Sequence, residues 1–287
     1  MQVTRLTPNF GAAITDVDLG KIDDAQFAEI KRVWHSHRGL MAFPRQHISD
    51  DDLLAFSRRI GQLDSPPNQE NGRQSPEGYP DIYVVSNVKD DAGKPIGALG
   101  DGEAVWHTDM SYEAKPPLAS MLTARELPAS GGGDTWFCDM IGVFEDLPDA
   151  LKARIAKLQV KHDGTYNSGG YLRAGVTPTD DPVAAPGRLH PAVVRIPETG
   201  DAALYLGRRR MSYIGGLTLA ESEALLDDLW KYPNAEHRIY RHQWQIGDLV
   251  VWDNRTTMHR RDPFSPGDRR IMHRTQIKGA LAPAAFA

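Results

Sequence analysis

Apolar and polar positions change in short runs along the chain, and a few longer stretches have helical spacing. The run AAITDVDL alternates with the period of a strand, whereas DDAQFAEIKRVWHSH has the spacing of an amphipathic helix after an acidic cap. Ser49 caps a second predicted helix, SDDDLLAFSRRIG, which Gly61 ends. Thr218 caps a third, TLAESEALLDDLWKYP. GVFEDLP and DALKARIAKL fit two short helices.

Many other apolar runs are short and end at turn residues, which predicts strands. They are GLMAFPRQ, DIYVVSN, LASMLTARELP, GGGDTWFCDM, HRIYRHQWQ, DLVVWDN and RRIMHRTQI, together with a hairpin in AVVRIPETGDAALYLG. Short strands with helices inserted between them are typical of a β-sandwich or jelly roll rather than of a parallel α/β sheet. No glycine-rich phosphate loop follows a strand, which argues against a nucleotide enzyme.

Two long segments, 62–102 and 163–190, are rich in proline, glycine, asparagine and aspartate. Loops of such length often cover active sites, so we expect both segments to be lid-like. The chain has no internal repeat or low-complexity tract. Its length fits one large domain or two small ones, and we expect a single domain over 1–287.

Composition narrows the classes of function. The 287 residues carry a formal net charge of −5, which gives no electrostatic case for nucleic acid as a partner. No apolar run reaches the length of a membrane span or of a signal-peptide core. Cys138 is the single cysteine, lies in an apolar run and is expected to be a buried, inert thiol. We therefore expect a cytoplasmic protein that does not bind membranes.

The stretch WHTDMSY raises the first chemical hypothesis. In a strand, residues two apart point to the same face, so His107 and Asp109 can reach one point in space. Two histidines and one carboxylate form the facial triad of non-heme Fe(II) enzymes. His-x-Asp also occurs in surface strands without any metal, so the motif alone leaves both interpretations open.

The C-terminal segment supplies the missing groups. A buried strand, VVWDN, leads to His259 just before a predicted loop, and the strand that follows carries Arg270 and Arg274 four residues apart. A straight strand points both arginines to the same side. Burying arginine is costly unless an anion meets it. Two inward arginines therefore predict two anionic groups, or one dianion, in the pocket.

The motifs WHTDMSY, GGGDTWF, VVWDNRTTMH and RRIMHR follow in the order and rough spacing of the taurine dioxygenase/TfdA family of Fe(II)- and 2-oxoglutarate-dependent dioxygenases. The chain resembles this family over nearly its whole length. The resemblance implies a double-stranded β-helix (jelly roll), mainly β with surrounding helices. It implies Fe(II) held by His107, Asp109 and His259, with 2-oxoglutarate as co-substrate, O2 as oxidant, and succinate and CO2 as co-products. It also assigns Thr135, Arg270 and Arg274 to 2-oxoglutarate.

Further side chains are candidates for the rest of the site. The candidates for substrate contact are Arg274, Tyr112, Tyr166, Asn167 and Arg209, the last from the run Arg208–Arg210. Trp106, Asp253 and Asn254 are expected to support the metal ligands. Glu103 stands where taurine-binding members usually have an asparagine, which argues against taurine itself without touching the iron assignment.

These observations favour hydroxylation of a small anionic organic substrate. A sulfonate such as taurine ranks first, an aryloxyalkanoate or other carboxylate second, and a sulfate ester third. Two alternatives remain, a zinc-type metal hydrolase and a catalytically silent jelly-roll binding module. Arg270 and Thr135 favour an oxoacid over the hydrolase, and the intact triad argues against the silent module. The resemblance also implies a homo-oligomer, a dimer or larger.

Overall fold

The computed structural model describes residues 1–64, 75–102 and 104–286. Eight strands form the largest sheet, called here the major sheet. In the order in which they lie side by side, they are β1 (Gln2–Arg5), β2 (Ala12–Thr15), β3 (Leu40–Phe43), β15 (Leu249–Asp253), β7 (Ala119–Glu126), β17 (Ile271–Ile277), β4 (Tyr83–Ser86) and β5 (Ala98–Leu99). Neighbouring strands are antiparallel except for the parallel pairs β2–β3 and β4–β5.

Four antiparallel strands form a second sheet, called here the minor sheet. In spatial order they are β14 (Ile239–His242), β8 (Thr135–Asp139), β16 (Thr257–Arg261) and β6 (Ala104–His107). Two small sheets complete the β structure. One contains β10 (Gly187–Pro191), β9 (Gln159–Asp163) and β13 (Tyr213–Ile214), and the other contains β11 (Val193–Arg195) and β12 (Ala202–Leu204).

Within the described residues, five α-helices accompany the sheets: α1 (Asp24–Ser36), α2 (Asp50–Ile60), α3 (Met140–Asp146), α4 (Asp149–Ile155) and α5 (Leu219–Leu229). Asp23, Ser49 and Thr218 cap α1, α2 and α5, each through a reciprocal capping box that satisfies otherwise unpaired backbone N–H groups. Over the described ranges, no helix has the length and apolar character needed to cross a bilayer.

The core lies on both faces of the major sheet. On one face, Trp252 of β15 meets Phe137 of β8 with ring centroids 5.4 Å apart, so the major and minor sheets face each other. On the other face, Trp34 of α1 and Phe56 of α2 pack against β3, β7 and β17. Each fully buried side chain of this kind contributes about 1.5–3 kcal/mol. This is the helix-surrounded jelly roll that the sequence predicts.

Three local expectations need correction. Strand β6 ends at His107, and Asp109 lies in the following turn, where Met110 has a φ of +45°. His259 lies within β16 rather than before a loop, and Arg270 precedes β17. A turn and a strand end, rather than strand alternation, therefore place two of the predicted site residues.

The two segments expected to be lid-like contain regular structure, and the predicted strand DIYVVSN in the first of them is confirmed as β4. Segment 62–102 includes β4 and β5, and its residues 65–74 lie outside the described ranges. Segment 163–190 begins at the end of β9 and runs into β10, which pairs with β9.

Candidate active site

Three buried side chains converge between the sheets. His107 and His259 are directly paired across β6 and β16, and the turn after β6 brings in Asp109. One ligand atom of each residue lies within 4.8 Å of the others. The Nε2 atoms of His107 and His259 lie 3.6 and 3.7 Å from Asp109 Oδ1. Two imidazole nitrogens and one carboxylate oxygen thus surround a common point, which is the donor set of a divalent transition metal.

Neighbouring groups fix the orientation of both histidines. His107 Nδ1 lies 2.7 Å from the carbonyl oxygen of Val105. Because a carbonyl only accepts, Nδ1 carries the proton and Nε2 keeps a lone pair toward the common point. The rings of Trp252 and Phe137 pack against His259 at centroid distances of 4.8 and 6.1 Å. Burial, with the nearby His107 ring, lowers the pKa of His259 well below its ordinary value, so His259 is neutral.

Asp109 is held as a carboxylate by two donors. Ser120 Oγ on β7 donates to Oδ2 at 2.7 Å, and Arg274 Nη2 on β17 lies 2.7 Å from the same oxygen. Burial alone would raise the pKa of Asp109, but the Arg274 charge, with the two histidines, holds that pKa well below its usual range. Oδ2 is therefore occupied by protein groups, and Oδ1 is left facing the histidine nitrogens.

A cavity beside the triad has the character of an anion site. Arg270 and Thr135 line it together with His107, His259 and Arg274. Arg270 is only 1% exposed; Nη2 donates to the Gly133 carbonyl at 3.2 Å, and Nε meets no hydrogen-bond partner among the described residues. Burial, reinforced by the neighbouring Arg261 charge, lowers the pKa of Arg270 to about 9, so it remains cationic at neutral pH.

Thr135 completes this cavity with a hydroxyl group. Trp244 Nε1 donates to Thr135 Oγ1 at 3.0 Å, which leaves the hydroxyl hydrogen available to an acceptor in the cavity. A buried, incompletely paired guanidinium is costly unless an anion meets it. The residues present therefore fit a dianionic oxoacid next to a divalent cation.

A second cavity adjoins His107 and Asp109. Its wall contains the predicted residues Tyr112 and Asn167, with Arg173 and Arg208 beside them. Arg274 lines both cavities. The second cavity thus has direct access to the proposed metal position and is itself rich in cationic side chains.

Several predicted residues lie elsewhere. Arg209 points to α5, where Glu223 and Asp227 bind its guanidinium at 2.6 and 2.7 Å. The Tyr166 ring stacks on Arg210 at 3.5 Å, so only its backbone carbonyl reaches the second cavity, through Arg208.

The supporting residues divide in the same way. Trp106 Nε1 donates to Asn234, and Asp253 pairs with Arg255. Asn254 alone adjoins the triad, since its Nδ2 lies 3.3 Å from Ser120 Oγ. Glu103 lies outside the described residues.

Ser120 and Arg173 were not predicted from the sequence, and in the run Arg208–Arg210 the predicted contact was Arg209, whereas Arg208 lines the second cavity. Ser120 sits in an apolar strand without any motif, and Arg208 is adjacent to two other arginines. The run of three arginines after a predicted strand was the signal for Arg208, but it does not specify which of the three side chains points into the cavity.

Comparisons with known proteins identify the family of the chain. The model of the family "Taurine catabolism dioxygenase TauD, TfdA family" matches residues 2–276. The chain is 32% identical to pentalenolactone F synthase of Streptomyces avermitilis, covering 96% of this chain and 93% of that protein. It is also 32% identical to the (S)-phenoxypropionate/alpha-ketoglutarate-dioxygenase of Sphingobium herbicidovorans, covering 96% and 94%. A crystal structure of a taurine dioxygenase from Burkholderia xenovorans superposes with a TM-score of 0.77 at 29% identity, covering 98% and 92%.

Proposed function

Because the chain belongs to the TauD, TfdA family and is an α-ketoglutarate-dependent dioxygenase, we propose that it hydroxylates a small anionic organic substrate. Enzymes of this family use Fe(II), α-ketoglutarate (2-oxoglutarate) and O2. When bound, these groups supply an oxidative decarboxylation that yields succinate and CO2 and inserts one oxygen atom into a substrate C–H bond. The substrate classes supported by the relatives are carboxylates and sulfonates, from the phenoxypropionate and taurine enzymes.

His107, Asp109 and His259 are the proposed Fe(II) ligands. The Val105 carbonyl fixes the tautomer of His107, and the donors on Asp109 Oδ2 leave Oδ1 for the metal. With three ligands on one face, the remaining positions stay open toward the two cavities. The single observation that carries the proposal is the convergence of these three donors beside an incompletely paired, buried Arg270.

Arg270 and Thr135 are proposed to bind the distal carboxylate of 2-oxoglutarate. The guanidinium fork can grip both carboxylate oxygens, and the Thr135 hydroxyl can donate to one of them. Arg274, the predicted contact of 2-oxoglutarate and substrate, stays part of the proposal. Because its Nη2 binds Asp109 Oδ2, we propose that it also orients and charges the metal ligand.

The domain organisation, the lids, the cellular location and the oligomeric state are part of the same proposal. We infer a single domain over 1–287 whose segments 62–102 and 163–190 act as lids. The supporting contacts are Leu99 from the first segment and Asn167, Ser168 and Arg173 from the second, all in the wall of the second cavity. A cytoplasmic location fits the single, fully buried Cys138. The resemblance noted above supports a homo-oligomer.

Anaerobic visible absorption tests the proposal directly. Fe(II) and 2-oxoglutarate added to the metal-free protein should produce the weak metal-to-ligand charge-transfer band of a chelated oxoacid. Arg270→Ala should raise the dissociation constant for 2-oxoglutarate about 10- to 100-fold, because a buried charge-assisted contact is lost. Arg269→Ala is the matched control, since Arg269 is exposed and pairs with Glu126. No band in the wild type, or equal effects of the two substitutions, would contradict the proposal.

A further inference from the structure

Arg208 is a buried guanidinium whose Nη1 is paired and whose Nε is not. The residue is 7% exposed, and Nη1 donates to the Tyr166 carbonyl with Asp163 Oδ2 at 3.8 Å. Nε is buried and has no hydrogen-bond partner among the described residues. The residue lines the second cavity together with His107 and Asp109. An incompletely paired guanidinium in such a place has a strong requirement for an anion.

Backbone contacts fix Arg208 relative to the proposed iron ligands. Thr108, which lies between His107 and Asp109, donates its backbone N–H to the Gly207 carbonyl at 3.1 Å. Gly207 has a φ of +71°, and a Cβ there would lie 2.4 Å from the buried His162 ring. Glycine therefore allows the close approach that brings Arg208 next to the metal-binding turn.

Arg274 differs from Arg208 in having a close carboxylate partner. It binds the Asp109 carboxylate at 2.7 Å and Ser120 Oγ at 3.3 Å, although its Nε, like that of Arg208, has no hydrogen-bond partner among the described residues. For Arg208 the carboxylate ion-pair partner is Asp163, 3.8 Å from the Nη1 that already donates to the Tyr166 carbonyl. Arg208 therefore has the larger unmet requirement for an anion.

The rest of the wall disfavours a positive charge on the substrate. Arg173 lines the same cavity and stacks on the Tyr112 ring at 4.1 Å, and Tyr83, Leu99 and Met110 add apolar surface. Among the described lining residues, Asp109 provides the only carboxylate, and the proposed metal and Arg274 use both of its oxygens. A substrate ammonium would therefore meet arginines and no acid.

We propose that Arg208 binds the anionic group of the substrate, and that the substrate is a monoanion whose body is uncharged and apolar. This inference rests on the proposed function, because the anion on Arg208 would present the body of the substrate to the iron ligands. The shared chemistry is a carboxylate or a sulfonate, and zwitterionic aminosulfonates are disfavoured.

Two matched pairs of probes test the substrate class. With Fe(II) and 2-oxoglutarate bound under anaerobic conditions, each probe is titrated by calorimetry and by the shift of the visible band. Propane-1-sulfonate differs from taurine mainly in having a methyl group in place of the ammonium, and we expect it to bind at least tenfold more tightly. (S)-2-phenoxypropionate is expected to bind similarly more tightly than its neutral amide. The sulfonate and carboxylate arms also show which anion the cavity prefers.

Substitutions at adjacent arginines test the residue. Arg208→Gln should raise the dissociation constants of propane-1-sulfonate and phenoxypropionate about 10- to 100-fold and raise KM more than it lowers kcat. Arg208→Lys keeps the charge without the fork and should give an intermediate loss. Arg209→Gln is the matched control, because Arg209 binds Glu223 and Asp227 outside the cavity. It should leave both constants within about twofold of the wild type, on the scale of a 0.4 kcal/mol difference.

The readouts separate this inference from the proposed function. If 2-oxoglutarate still produces the charge-transfer band but Arg208→Gln and Arg208→Lys bind both anions like the wild type, Arg208 does not hold the anion. Tighter binding of taurine than of propane-1-sulfonate would overturn the proposal that the body of the substrate is uncharged. Absence of the band itself would instead contradict the iron and oxoacid assignment.

Discussion

At the residue scale, the function of each buried arginine is set by its partner rather than by its burial. Arg274 binds a carboxylate at 2.7 Å, Arg270 donates to a backbone carbonyl, and Arg208 donates to a carbonyl with a carboxylate only at 3.8 Å. Burial makes an unpaired charge costly in every case. We therefore infer that ligands supply the missing anions of Arg270 in the first cavity and of Arg208 in the second.

Gly133 is predicted to control the position of Arg270, the residue proposed to bind 2-oxoglutarate. Its φ is +71°, and a Cβ would lie 3.0 Å from Arg270 Nε. Gly133→Ala should lower the free energy of unfolding by about 1 kcal/mol through backbone strain and should also displace Arg270. We expect weaker 2-oxoglutarate binding by several-fold, measured by anaerobic titration of the visible band.

Gly131→Ala separates strain from displacement. Gly131 has a φ of +84°, but a Cβ there would meet nothing within 4 Å. This variant should lose similar stability in chemical denaturation while keeping the wild-type affinity for 2-oxoglutarate. If the two alanine variants bind the oxoacid equally well, Gly133 has no role in placing Arg270.

Ser120 is predicted to act through Asp109. Ser120→Ala removes the hydroxyl that donates to Asp109 Oδ2 at 2.7 Å, so the carboxylate becomes less well oriented. Loss of such a contact typically lowers metal affinity about 10- to 100-fold, which competition with a chromogenic chelator would measure. Thr123→Val on the same strand is the control, because Thr123 Oγ1 has no hydrogen-bond partner among the described residues. Equal metal affinity in Ser120→Ala and Thr123→Val would refute the role.

At the element scale, local signals determined what the sequence could predict. The helices capped by Ser49 and Thr218 were predicted from the sequence and are confirmed. They could be predicted because a capping box involves residues only three apart. Strands β9, β10 and β16 were missed, because their short sequences QVKHD, GRLHP and TMHRR lack clean alternation of apolar and polar residues. Asp109 lies in a turn rather than in the strand from which the sequence analysis first paired it with His107, and the resemblance to the family selected the same two residues independently of that geometry.

The α2 cap gives a prediction for an element remote from the chemistry. Ser49 accepts a hydrogen bond from the Asp52 N–H, and the Asp52 carboxylate accepts one from the Ser49 N–H. Ser49→Ala should lower the free energy of unfolding by about 1 kcal/mol, measured by urea denaturation, without changing 2-oxoglutarate affinity. Ser49→Asp keeps an acceptor and should retain most of the stability. A loss of oxoacid affinity in Ser49→Ala would show that α2 communicates with the site.

At the scale of the whole molecule, the site joins the two sheets. His107, His259 and Thr135 belong to the minor sheet, whereas Ser120 and Arg274, which hold Asp109, belong to the major sheet, and Arg270 immediately precedes β17. Ligands bound in this place contact groups from both sheets. The resemblance of four separate sequence motifs to one family was therefore more informative than any local pattern, because the site exists only when the sheets face each other.

Metal binding should consequently stabilise the entire fold. A ligand that binds only the folded state at 100 times its dissociation constant adds about 2.7 kcal/mol, which corresponds to a rise in Tm of about 4–5 °C for a protein of this size. We expect this rise with Mn(II), as a redox-stable substitute for Fe(II), in differential scanning calorimetry, and its reversal by EDTA. Asp109→Asn should abolish the metal-dependent rise, because the neutral amide is a much weaker ligand. Since the comparison is made within each variant, any change in its metal-free Tm does not matter. If the metal-dependent rise in Tm persists in Asp109→Asn, the stabilising metal binds elsewhere. The contact between the two sheets would then not depend on metal bound at this site.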